Sequence, residues 1–108
     1  MIVCVPVTAD GAVDPRWGRA DRVAVADLED GEVRRWSEHD VGWGTLHDAG
    51  TEGAHHARVA RFLRDQGVDI VAVDHLGAGM ERMLTTMGVR IVGGLSGDAR
   101  TAARAAAG

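Results

Sequence analysis

The chain has 108 residues, 45% of them hydrophobic, with a net charge of -4 and a single cysteine. That length suits one compact domain spanning residues 1–108, and the apolar content is enough for a real core. The acidic balance argues against nucleic acid as a partner, and the lone cysteine excludes an internal disulfide or a four-thiolate metal site within one chain. No apolar run approaches the roughly 20 residues needed to cross a bilayer, so no membrane contact is expected. The sequence enters a strand at once, no signal peptide is expected, and the default localisation is cytoplasmic. Aromatic residues are three Trp, one Phe and no Tyr, so each Trp asks for a reason.

Ile2 to Val7 is β-branched and apolar, the pattern of a buried strand, with Pro6 unable to donate a ladder hydrogen bond. Thr8 to Asp21 follows as a long loop with a turn signal at Asp10-Gly11. Arg22 to Glu29 alternates as a second strand. Asp30-Gly31 is a strong hairpin signal, and Glu32 to Val41 is a third strand with Val33 and Trp36 as packing residues. Gly42 to Gly53 reads as Gly-rich and irregular.

A helix is expected from about Ala54 to Gln66, with Val59, Phe62 and Leu63 on one arc, arginines 58, 61 and 64 outside it, and Gly67 as its C-terminal cap. Val68 to His75 is apolar almost throughout, as in a central strand buried on both faces. Gly77 to Gly88 is a second helix, with Met80, Met83, Leu84 and Met87 at core-facing spacing. Val89 to Gly94 is a fifth strand. Ser96 opens an Ala-rich third helix as its N-cap. This order predicts an α/β fold: a mixed five-stranded sheet of order 3-2-1-4-5, strand 2 antiparallel to its neighbours, with three helices.

Several segments together are similar to a known family. They are "MIVCVPVT" with "VDPRWGRAD", then "VADLEDGEV", "HARVARFLRDQGVDIVAV" and "LGAGMERMLTTMGVRIV". In order and spacing the chain resembles the dinitrogenase iron-molybdenum cofactor biosynthesis family, across nearly its whole length. It departs from the family pattern at Arg16, where the family often has His, and in the sparser "GTEGAHH". The resemblance implies a ribonuclease-H-like fold. It also implies a small non-catalytic carrier in the context of nitrogen fixation, binding an iron-sulfur or iron-molybdenum type cluster transiently and meeting a cofactor-assembly or acceptor protein.

In open α/β sheets ligands bind beyond the carboxyl ends of the parallel strands. The loops expected there are Thr8 to Asp21, Asp74 to Gly79, Gly93 to Gly97, and the Gly42 to His56 segment. Trp17 is either a wall of that crevice or a plug in the open end of the core, with Gly18 letting the backbone turn beside it. Arg16 and Arg19 would add positive charge. Gly77 and Gly79 open the second helix, whose free N–H groups suit an anion. His55 and His56 begin the first helix and His75 ends strand 4. A His55–His75 pair could ligate a metal with His47 or Asp74 as a third ligand, or these are ordinary polar residues at element ends. Cys4 reads as a small buried hydrophobe. There is no nucleophile–base pair, paired-carboxylate motif or P-loop, and strand 1 lacks the acidic residues a ribonuclease-H-type enzyme needs for Mg²⁺. A metallocluster carrier and a small-molecule or anion-binding regulatory module therefore both remain open, without catalysis.

Overall fold

The computed structural model describes residues 1–46 and 50–108. Five strands form one sheet in the order β3-β2-β1-β4-β5. They are β1 (Ile2–Pro6), β2 (Arg22–Glu29), β3 (Glu32–Asp40), β4 (Ile70–Ala72) and β5 (Arg90–Val92). β2 runs antiparallel to both β1 and β3, whereas β1, β4 and β5 are mutually parallel. The β2–β3 turn has the geometry its sequence requires. Asp30 and Gly31 both have positive φ, 54° and 78°, which gives the turn the twist of the flanking strands and fixes Glu29 opposite Glu32. One irregularity between Asp27 and Leu28 leaves Arg34 as the extra residue on β3.

Among the described residues the helices number four rather than the three read from the sequence: α1 (Trp43–Leu46), α2 (Glu52–Asp65), α3 (Ala78–Thr86) and α4 (Ala99–Ala107), with a 3-10 turn at Trp17–Arg19. α1 lies inside the segment expected to be irregular. It is a single turn, too short to show a hydrophobic period. α2 starts earlier than expected, because the Thr51 hydroxyl accepts from the Ala54 amide and caps the helix. α4 is capped by Asp98 rather than Ser96, its carboxylate accepting from the Thr101 amide.

α2 and α3 end in the same way. Gly67 and Gly88 take φ of +66° and +77°, and each following Val donates back into the helix, Val68 to Leu63 and Val89 to Leu84. This is the Schellman closure, and it turns the chain directly into β4 and β5.

Alternation along the strands splits the core into two. Cys4, Val23, Val25, Val71 and Val73 face α2 and α3. Val3, Val5, Ala24, Ala26, Ile70 and Ala72 face the alanines of α4. β4 is buried on both faces as expected, and the Cys4 thiol is pushed far above its usual pKa by burial, so it stays protonated and acts as a hydrophobe. The methionine stripe is only partly internal: Met80 and Leu84 are buried, whereas Met83 and Met87 are half-buried. Leu84→Ala should therefore cost about 2–5 kcal/mol in urea melts, and Met83→Ala clearly less. Equal losses for the two would contradict this packing.

Candidate functional site

The loop after β1, the β4–α3 connection and the N-terminal ends of α2 and α3 meet around one crevice of about 420 Å³. From the first loop come Pro15, Arg16, Trp17, Gly18 and Arg19; from α2, Glu52, His55 and His56. The β4–α3 connection supplies His75, Leu76, Gly77, Ala78, Gly79 and Met80. Arg16, Trp17, Gly18, Arg19, His55, His56, His75, Gly77 and Gly79, all offered by the sequence for binding, thus line the same opening, although Arg16 and Gly79 stand far apart in the chain. Glu52 and Met80 were missed as lining residues. Glu52 could have been found from its spacing, since it stands one helical turn before His56, 3.8 Å away.

The Gly93 to Gly97 loop does not line the crevice. It is tied instead to the first half of the long loop, with the Val13 amide donating to Gly97 and Ala12 bridging Asp98. Asp74 also lies outside the lining, its carbonyl accepting from Gly94. His47 falls outside the described residues.

Trp17 is both plug and wall. It is 3% exposed and packs edge to face on Trp43, ring centroids 5.1 Å apart, while still lining the crevice. Trp43 in turn meets Phe62 of α2 at 5.8 Å. The short helix α1 serves this contact: the Trp43 amide donates to Ala20 and those of Val41 and Gly42 to Asp21. Gly44 makes the close approach possible, since a Cβ there would sit 2.6 Å from the Arg19 carbonyl oxygen.

His55 is 2% exposed, facing inward as its helical arc implied. Its Nε2 lies 2.8 Å from the Gly18 carbonyl and its Nδ1 lies 3.0 Å from an Arg58 guanidinium nitrogen. A guanidinium can only donate, so Nδ1 accepts and Nε2 carries the proton that is donated to Gly18. This fixes a neutral ring in the Nε2–H tautomer, with both nitrogens engaged by Gly18 and Arg58. Arg58, expected on a solvated face, is half-buried for the same reason. His75 is exposed, and His56 is half-buried against the first turn of α3, where a Cβ on Gly79 would meet its ring at 3.1 Å. No group of three or more His, Cys, Asp or Glu able to hold a metal ion occurs among the described residues.

Positive character comes from two sources. Gly77, the N-cap of α3, offers no side-chain cap, and the amides of Ala78, Gly79 and Met80 have no acceptor among the described residues. Such an end attracts negative charge. Arg16 and Arg19 lie across from it in the lining. The Arg16 guanidinium is held by buried Asp14, through Nε to Oδ1 and a terminal nitrogen to Oδ2, each 3.2 Å. That hydrogen-bonded pairing raises the Arg16 pKa further and offsets part of its charge.

Residues 1–107 match the family described as dinitrogenase iron-molybdenum cofactor. The chain belongs to this family. No curated protein sequence matches it significantly. Among solved structures, the apo form of the orange protein from Desulfovibrio gigas is similar over 94% of this chain and 82% of its own, at 23% identity and a TM-score of 0.74. A protein known as PH0822 is similar over 97% and 88%, at 21% identity and a TM-score of 0.77. The NMR structure of a NifB-like protein from Thermotoga is similar over 94% and 82%, at 25% identity and a TM-score of 0.62. The sheet order is thus a shared fold, and the family points to metallocluster-related accessory proteins.

Two outcomes check the geometry. Long-range ¹⁵N–¹H spectra of His55 should show the Nε2–H tautomer at neutral pH; the Nδ1–H tautomer would contradict the Arg58 contact. Gly44→Ala should cost about 1–3 kcal/mol in thermal or urea melts through overpacking and shift the Trp17 indole resonance. A neutral effect would mean α1 does not brace the loop.

Proposed function

We propose that this protein is a non-catalytic carrier that holds an anionic metallocluster, of iron-sulfur or iron-molybdenum type, reversibly in the crevice and passes it to a cofactor-assembly or acceptor protein. The sheet would then be one more use of a ribonuclease-H-like scaffold. The observation that carries the reading is the uncapped first turn of α3 facing Arg16 and Arg19 in a member of the dinitrogenase iron-molybdenum cofactor family. A preformed cluster brings its own ligands, so the host needs a complementary field more than a set of thiolates. His56 and His75 stand at the rim. His55 supports the wall and is not a ligand in this reading, which replaces the His55–His75 metal pair. The same field suits an anionic small molecule, the second reading. No described helix is long and apolar enough to cross a membrane.

Anaerobic equilibrium dialysis against a reconstituted iron-sulfur or iron-molybdenum cluster tests the carrier reading. Uptake near one cluster per chain is expected. Ala78→Pro removes one amide at the first helical position, where proline fits, behind a Gly77 already extended at φ -70° and ψ 156°. A hydrogen bond to a charged acceptor is worth about 1.5–3 kcal/mol, so this variant should fold normally and bind roughly 10- to 100-fold more weakly. No uptake by the parent protein would overturn the reading.

A further inference from the structure

The indole of Trp17 holds a donor that no described residue uses. Its Nε1 is buried and has no hydrogen-bond partner among the described residues. A buried N–H left unpaired is costly enough that native structures rarely keep one without a reason. The carbonyl of the next residue, Gly18, receives the His55 proton and no indole N–H. The loop cannot easily turn to find another, because Trp17 is wedged on Trp43 and Gly44 packs against Arg19.

Trp17 nevertheless lines the crevice, and the turn that carries it lies against the first turn of α3. A Cβ on Gly18 would be 3.8 Å from the Met80 terminal methyl. The unpartnered amides of Ala78, Gly79 and Met80 belong to that same turn. Trp17 and this turn thus line one space from two separate elements, each carrying an N–H without an acceptor among the described residues.

We infer that Trp17 is a specificity-determining residue. Its Nε1–H donates to a terminal oxo or sulfido atom of the bound anion, opposite the α3 amides. Recognition is then by hydrogen bonds to the outer atoms of the ligand and not by coordination of its metal. The ligand class is an anion bearing terminal acceptor atoms on at least two sides. A metal-sulfide cluster and a free tetrahedral oxyanion share that chemistry. The inference rests on the carrier reading for the choice between them.

The test follows the indole N–H resonances of the ¹⁵N-labelled parent protein during titration with reconstituted cluster and, separately, with inorganic phosphate or molybdate. Trp17 is assigned through Trp17→Phe. Saturable cluster binding that moves the Trp17 N–H downfield and slows its exchange with solvent, with a 10-fold or greater loss of affinity in Trp17→Phe, supports the inference. The parent spectrum decides the matter even if Trp17→Phe folds poorly. Cluster binding with an unmoved Trp17 resonance overturns the inference and leaves the carrier reading standing, with the N–H accommodated on the Trp43 ring. The same shift with phosphate or molybdate but not with cluster supports the donor role and overturns the carrier reading. No shift with any of these anions overturns the inference.

Discussion

The hydrogen bond from His55 to the Gly18 carbonyl is the contact on which the crevice depends. It ties the loop after β1 to the first turn of α2, joining residues 37 apart in sequence. Arg58 sets its polarity, since a guanidinium beside Nδ1 forces the ring proton onto Nε2. Trp17 is then pressed between this latch and Trp43, and the 3-10 turn has no freedom to fold over the opening. The remaining lining residues come from the β4–α3 connection, whose place is set by a strand buried on both faces.

Much of the fold could be read from the sequence because local chemistry and global arrangement agree. Asp30-Gly31 demanded positive φ at adjacent positions, and the hairpin followed. The glycines at 67 and 88 end helices whose next residue is an apolar Val, so both crossovers were legible. Their lengths place β4 beside β1. The elements that escaped have no periodic signal. α1 is one turn long and exists because backbone amides of residues 41–43 find acceptors on Ala20 and Asp21, a tertiary reason. The Gly93 to Gly97 loop looked like a crevice loop by position alone. Its pairing with Val13 and Ala12 is a long-range contact that no local pattern encodes.

The gathering of the candidate site residues was legible for the same topological reason: each lies at or just past one edge of the sheet. What each one does was not. Sequence position put His55 and His75 near one edge and suggested a ligand pair, but a buried imidazole must satisfy both nitrogens. The groups that do so, Gly18 and Arg58, become visible only in three dimensions. Arg16 likewise looked like free positive charge until buried Asp14 was found beside it. What faces a ligand is in large part backbone, the first turn of α3, with Trp17 in the same lining.

A field built from the α3 amides and the arginines of the first loop is fixed by the fold. It attracts charge without caging it, the behaviour a carrier needs if its cargo is to leave again. Anomalous X-ray diffraction from crystals of the cluster-loaded protein tests this account most directly. The metal peaks should fall in the crevice between Trp17 and the first turn of α3, with His55 still bonded to Gly18. Peaks outside the crevice, or a metal bonded to a His55 ring that has left Gly18, would contradict it.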